Sequence, residues 1–196
     1  MHLHNKDMDM TGIVLIGGKS TRFGKDKVVA SVGNKLLIQH VIEVIEPLFD
    51  EVILIGHKRE DLNTFTIVED LRPGCGPLGG IYTALSAART PHSFVFAADM
   101  PYLHERFISY MISCAADHDV IIPVWSKGRE PLHAIYHKRV LPVVKSLLDA
   151  DMFKVYNLLS QVDTLTIPEE TIRQFGRPEE IFANINTLHD IQNMAR

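Results

Sequence analysis

The stretch Gly17-Gly18-Lys19-Ser20-Thr21-Arg22-Phe23-Gly24-Lys25-Asp26-Lys27 gathers glycines and fixed cations into one turn. Glycines let the backbone approach an anion and aim its N–H groups at it, while Lys and Arg neutralise charge. Directly before it, Gly12-Ile13-Val14-Leu15-Ile16 reads as a short apolar strand of the kind buried in a parallel sheet. A strand that opens into such a loop is a device for holding phosphates; the plain alternative is a solvated Gly/Lys turn. The spacing excludes two common phosphate binders. A Walker A loop ends in Gly-Lys-Ser/Thr, whereas here Gly18 and Gly24 are too far apart and Lys25 precedes Asp26. The dinucleotide fingerprint needs G-x-G, and Gly17 and Gly18 are adjacent. Group transfer between phosphates mainly needs positioning and charge neutralisation. Lys27, where the chain re-enters structure, is the expected cation for a triphosphate, and Arg22 suits a bidentate phosphate contact. Lys19 and Lys25 are expected at the periphery.

Two carboxylates stand where strands end. Asp99 follows the apolar run Ser93–Ala98, and an isolated charge there is costly to bury without a partner. A hard divalent cation bridging to phosphate is a natural partner, because Mg²⁺ is commonly held by one or two carboxylates plus phosphate oxygens. The rival reading makes Asp99 the N-cap of the helix after Pro101. Asp70 follows Ile67-Val68 and could accept hydrogen bonds from a ribose or base, or cap the turn through Arg72-Pro73. The run Gly74 to Gly80 reads as a backbone wall against a flat ligand. Cys75 within it has no positioned base and reads as a small filler. His133 and His137 are four apart on a strand, a poor zinc spacing.

These residues need a scaffold, and strand and helix signals alternate along the chain. Strands are expected at 52–56, 67–68, 93–98, 120–124, 133–136, 164–167 and 182–185. Helices are expected at 37–48, 78–88, 107–116, 140–148, 155–159 and from Thr187, with Asn186 or Thr187 as its N-cap. That order implies an α/β fold, a Rossmann-like, mostly parallel sheet with helices on both faces. Ligands then sit beyond the carboxyl ends of the strands, where the first loop, Asp70 and Asp99 converge. Residues 1–11 read as a flexible lead-in and 12–196 as a single domain, since no linker or repeat divides the chain.

Composition narrows the function classes. A net charge of −4 argues against a nucleic-acid binder, so an anionic substrate must be held by local positive charge. Two cysteines do not make a disulfide framework and fit a reducing cytoplasm. No apolar run approaches membrane-spanning length, and the polar start is no signal peptide.

The combination is more specific than any part. Leu15-Ile16-Gly17-Gly18 with Arg22-Phe23-Gly24 and Asp26-Lys27 stands with Gly76-Pro77-Leu78-Gly79-Gly80 and Asp99-Met100-Pro101. Glu130-Pro131-Leu132-His133-Ala134 and Asn184-Ile185-Asn186-Thr187 complete the set. Over Gly12 to about Asp190 the chain resembles the molybdenum cofactor guanylyltransferases. The resemblance implies transfer of GMP from GTP to molybdopterin cofactor, giving the guanine dinucleotide form and pyrophosphate, with Mg²⁺ as cofactor. It places Leu15, Ile16, Gly17 and Gly18 at the guanosine, Lys27 at phosphate, Asp70 on the nucleoside side, and Asp99 at both nucleotide and metal. It places the pterin near Arg129, His133, Lys154, Asn184 and Asn186, and implies cofactor-synthesis or recipient molybdoenzymes as partners. Ile16 stands where the family usually has Ala, Phe23 where Met is commoner, and Ile55-Gly56-His57 where some members have Asn. Rival classes are a cytidylyltransferase for the same cofactor, a sugar-phosphate nucleotidyltransferase, and a non-catalytic GTP-binding chaperone.

Overall fold

Side chains alternate across a strand, so a strand apolar at every position must be covered on both faces. The strands at residues 10–15 and 92–97 are buried at every position, and the helices form two layers around them. The structure, a computed structural model, describes residues 9–17, 30–32, 34–187 and 190. The elements begin with β1 (Met10–Leu15), the short β2 (Ser31–Val32) and β3 (Lys35–Leu36), and α1 (Leu37–Ile45). Next come β4 (Glu51–Ile55), β5 (Thr66–Val68), α2 (Gly76–Ala87), β6 (His92–Ala97) and α3 (Glu105–Ser113). Then follow β7 (Val120–Trp125), β8 (Gly128–Arg129), β9 (His133–His137), α4 (Leu141–Asp149) and α5 (Val155–Leu159). The last are β10 (Thr164–Ile167), α6 (Glu169–Ile172) and α7 (Pro178–Ile181).

The main sheet has the order β10-β7-β9-β6-β1-β4-β5, with β8 paired to β7. β1 is parallel to β4 and β6, β4 to β5, and β10 to β7. β9 alone on this path runs the other way, antiparallel to both β6 and β7. The sheet is therefore mostly parallel, as expected. Val14, Leu54, Phe94 and Phe96 face one layer, with Ile38, Val41 and Ile45 of α1 and Phe107 and Met111 of α3. Ile13, Leu15, Ile53, Ile55 and Val95 face the other, with Leu78 and Ile81 of α2, Val144 and Leu148 of α4 and Leu158 of α5. Each such apolar side chain removed from water contributes on the order of 1.5–3 kcal/mol, before entropy is counted.

Three boundaries carry information. β1 starts at Met10 rather than Gly12, and both added residues, Met10 and Thr11, are buried. The expected strand at 182–185 does not form: Ile185 N–H bonds Asp99 O at 2.8 Å instead of a sheet neighbour. The α3 helix starts at Glu105, and His104 Nδ1 accepts from Phe107 N at 3.3 Å, so His104 and not Asp99 is its cap. Asp190 N donates to Thr187 Oγ1 at 3.1 Å and Asp190 Oδ2 accepts from Thr187 N at 2.8 Å, the bonds of a cap, while the helix expected from Thr187 lies, Asp190 apart, outside the described residues. Among the described residues no helix is long and apolar enough to cross a membrane.

Candidate active site

Backbone rather than side chains builds the wall at the carboxyl end of β1. Ile16 N donates to Ile55 O at 2.9 Å, and Ala98 N to Leu15 O at 3.3 Å, which holds the ends of β4, β1 and β6 together. Leu15 and Ile16 bury their side chains and Gly17 is exposed, so a ligand there would meet main chain. Gly56 has φ +155°, and a Cβ on it would lie 2.7 Å from Ile16 Cγ1 and 3.0 Å from Gly17 N. Only glycine lets the two turns pass so closely. At α2 a Cβ on Gly79 would sit 2.7 Å from Arg72 O, so this helix start also presses against its approach loop. Gly18, Arg22 and Lys27 lie outside the described residues; past them, the Ala30 carbonyl accepts from Leu37 N at 2.9 Å.

Asp70 stands just past β5. Its Oδ1 accepts from Arg72 N at 3.0 Å and from Thr83 Oγ1 at 2.9 Å, which clamps the turn to α2. The turn-capping function anticipated for this carboxylate is therefore present in the fold. Arg72 turns the other way, to Asp149 at 2.8 Å. Cys75 packs, half-buried, in the layer under α2, as a filler does.

Asp99 is half-buried at the end of β6, and its carbonyl anchors the segment that carries Asn184 and Asn186. That segment forms one side of a cleft of about 470 Å³. Trp125, Lys127, Glu130 and Glu179 form the rest of its polar lining with Asn184 and Asn186. Arg129 and Lys154 are exposed and do not line it, the Arg129 guanidinium lying 5.6 Å over the Tyr156 ring of α5. Among the described residues no three acidic, His or Cys side chains converge as a metal cage. A single half-buried carboxylate at a strand end nevertheless fits Mg²⁺, which takes most of its other ligands from phosphate and water.

His133 requires a correction. Expected to contact substrate, it is wholly buried, its ring stacked on Phe107 at 5.5 Å and edge-on to Phe94, Phe96 and Phe182. Its position on β9 turns it into the aromatic layer under α3. Burial pushes its pKa from 6.5 down to about 3. The unfolded chain therefore binds a proton that the folded chain refuses between those values, and stability falls as pH drops below 6.5. By pH 5 the expected loss from His133 is ~2 kcal/mol. Denaturant titrations at pH 7 and 5 should show this loss largely removed in His133→Phe; an unchanged pH slope would contradict it.

Residues 12–167 match the family model described as a MobA-like NTP transferase domain. The chain belongs to this family. It is 31% identical over 195 residues to the probable molybdenum cofactor guanylyltransferase of Peptoclostridium acidaminophilum, covering 95% of this chain and 88% of the relative. It is 33% identical to the protein of that description in Pelotomaculum thermopropionicum, over 94% of this chain and 91% of the relative. The crystal structure of molybdopterin-guanine dinucleotide biosynthesis protein A from Archaeoglobus fulgidus superposes with a TM-score of 0.80 at 25% identity, covering 95% and 97% of the two chains. In this MobA-like chain the cleft residues Trp125 and Lys127 were not foreseen. Their signal was a lone Trp closing an apolar strand, followed by a Lys-Gly turn.

Proposed function

We propose that this chain transfers GMP from GTP to molybdopterin cofactor and releases pyrophosphate. An oxygen of the acceptor's terminal phosphate attacks the α-phosphorus of GTP; the bond to the β-phosphate breaks and pyrophosphate leaves with its electron pair. The attacking phosphate is already anionic near neutral pH, so no general base is needed. What supports the reading is a pair of backbone bonds: Ala98 N to Leu15 O, and Ile185 N to Asp99 O. They tie the end of β1, the residue after β6 and the Asn184–Asn186 side of the cleft to one another, so that a nucleotide at the first and an acceptor at the last would meet near Asp99.

On this reading Leu15 to Gly18 and Asp70 hold the guanosine, and Arg22 and Lys27 hold phosphates. The acceptor lies along the cleft with Asn184 and Asn186, while Arg129 and Lys154 draw its anionic end from outside. Asp99 would hold Mg²⁺, whose charge, when bound, stabilises developing negative charge on the phosphates. Fixed dipoles and cations placed before reaction cost no reorganisation at the transition state. The work belongs in the cytoplasm, in keeping with two free cysteines, and its product would pass to recipient molybdoenzymes. GTP labelled at the α-phosphate, incubated with molybdopterin, is expected to yield labelled dinucleotide cofactor; label recovered only in GTP would overturn the reading.

A further inference from the structure

Glu130 is held more firmly than a surface acid needs to be. Its backbone N donates to Pro123 O of β7 at 3.1 Å, and its carbonyl accepts from His133 N at the start of β9, also at 3.1 Å. Trp125 Nε1–H donates to its Oε1 at 2.6 Å, and the Lys127 ammonium lies 5.1 Å over the Trp125 ring. The backbone is thus tied to β7 and β9, and the carboxylate, held by Trp125, lines the cleft, with no hydrogen bond to Oε2 among the described residues. An open oxygen on a carboxylate held in a cleft is an acceptor that a ligand's N–H can take over from water. Burial raises the Glu130 pKa, opposed by the Trp125 N–H and the Lys127 charge, in agreement with that geometry. The neighbouring Glu179 differs, since it is paired with Arg173 at 3.5 Å.

We infer that Glu130, oriented by Trp125, is the specificity-determining residue for the acceptor, taking an N–H from its 2-amino-4-oxo-pyrimidine ring. This rests on the GMP-transfer reading above. A carboxylate offers only acceptors, so it favours a ring edge carrying an amino group and a ring N–H over one carrying carbonyls. Fixing it from the protein side lowers the ordering cost at the moment of binding.

The test is steady-state GMP transfer to molybdopterin by the full chain and by Glu130→Gln. Gln keeps an oxygen for Trp125 but replaces the second oxygen with a donor. A hydrogen bond to a charged group contributes about 1.5–3 kcal/mol, so the acceptor KM is expected to rise about 10–100-fold while the GTP KM is unchanged. Trp125→Phe, which frees the carboxylate without removing it, should raise the acceptor KM less. In the wild type, free pterin should compete with the acceptor better than lumazine, its 2-oxo counterpart, and Glu130→Gln should erase that preference. An unchanged acceptor KM in a Glu130→Gln chain that still transfers GMP overturns the inference and leaves the transfer reading standing. If that variant fails to fold, equal competition by pterin and lumazine in the wild type overturns it instead. A wild-type chain that transfers no GMP overturns both.

Discussion

Asp99→Ala should lower kcat for GMP transfer by about 10²-fold or more while weakening GTP binding far less, the pattern of a group that acts mainly in the transition state. The structural part of this expectation is specific. Capping of α3 belongs to His104, so the alanine variant does not remove a helix cap. The anchor from Asp99 to the 184–186 segment runs through the main-chain carbonyl, which alanine retains. What the substitution removes is the carboxylate, and with it the protein's proposed ligand for Mg²⁺. Steady-state kinetics and GTP titration on the same protein samples separate the two effects. A GTP-binding chaperone would tolerate the change, so full guanylylation by Asp99→Ala would reject a transferase built on this carboxylate.

Lys27→Ala is expected to lower turnover by about 10²-fold, because one preorganised donor at the site of developing charge is removed. Lys25→Ala should cost about 1 kcal/mol or less, the range of a screened surface charge. The two differ by position in the sequence: Lys25 follows Gly24, whereas Lys27 comes after Asp26, at the closing end of the motif. Kinetics of both variants at saturating Mg²⁺ give the order. Lys25→Ala as the more damaging change would contradict the placement of the triphosphate along this loop.

The scaffold was legible because its signals are local. Val14, Leu54 and Phe96 sit in runs apolar on both faces, and such runs make buried parallel strands. Short segments escaped. β2, β3 and β8 are two residues each, too short for any periodicity to register, and α6 and α7 are single turns. The antiparallel sense of β9 was not visible either, since pairing direction is set by how connections pack and not by composition. Residues 182–185 look like a strand because Phe182 and Ile185 are apolar, but both are buried by a loop pinned to Asp99. His133 shows the same limit in the site. Its motif does not tell core from ligand contact; only the pleat of β9, which turns it under α3, does. Asn184 and Asn186, carried by their motif, do reach the cleft. Glu130 was legible as part of a motif, not as a carboxylate with one oxygen engaged and one available.

The most direct measurement supplies GTP, CTP, ATP or UTP, each labelled at the α-phosphate, to the purified chain with Mg²⁺ and molybdopterin, and follows label into the dinucleotide cofactor and release of pyrophosphate. Gly79 and Gly80 pack on Arg72 and Leu15 rather than facing a ligand, which leaves the exposed backbone at Gly17 as the surface proposed to read the base. The prediction is transfer from GTP with one pyrophosphate released per dinucleotide formed, and far slower transfer from the other three. Preferential transfer from CTP, or GTP binding with no labelled dinucleotide at all, would contradict it.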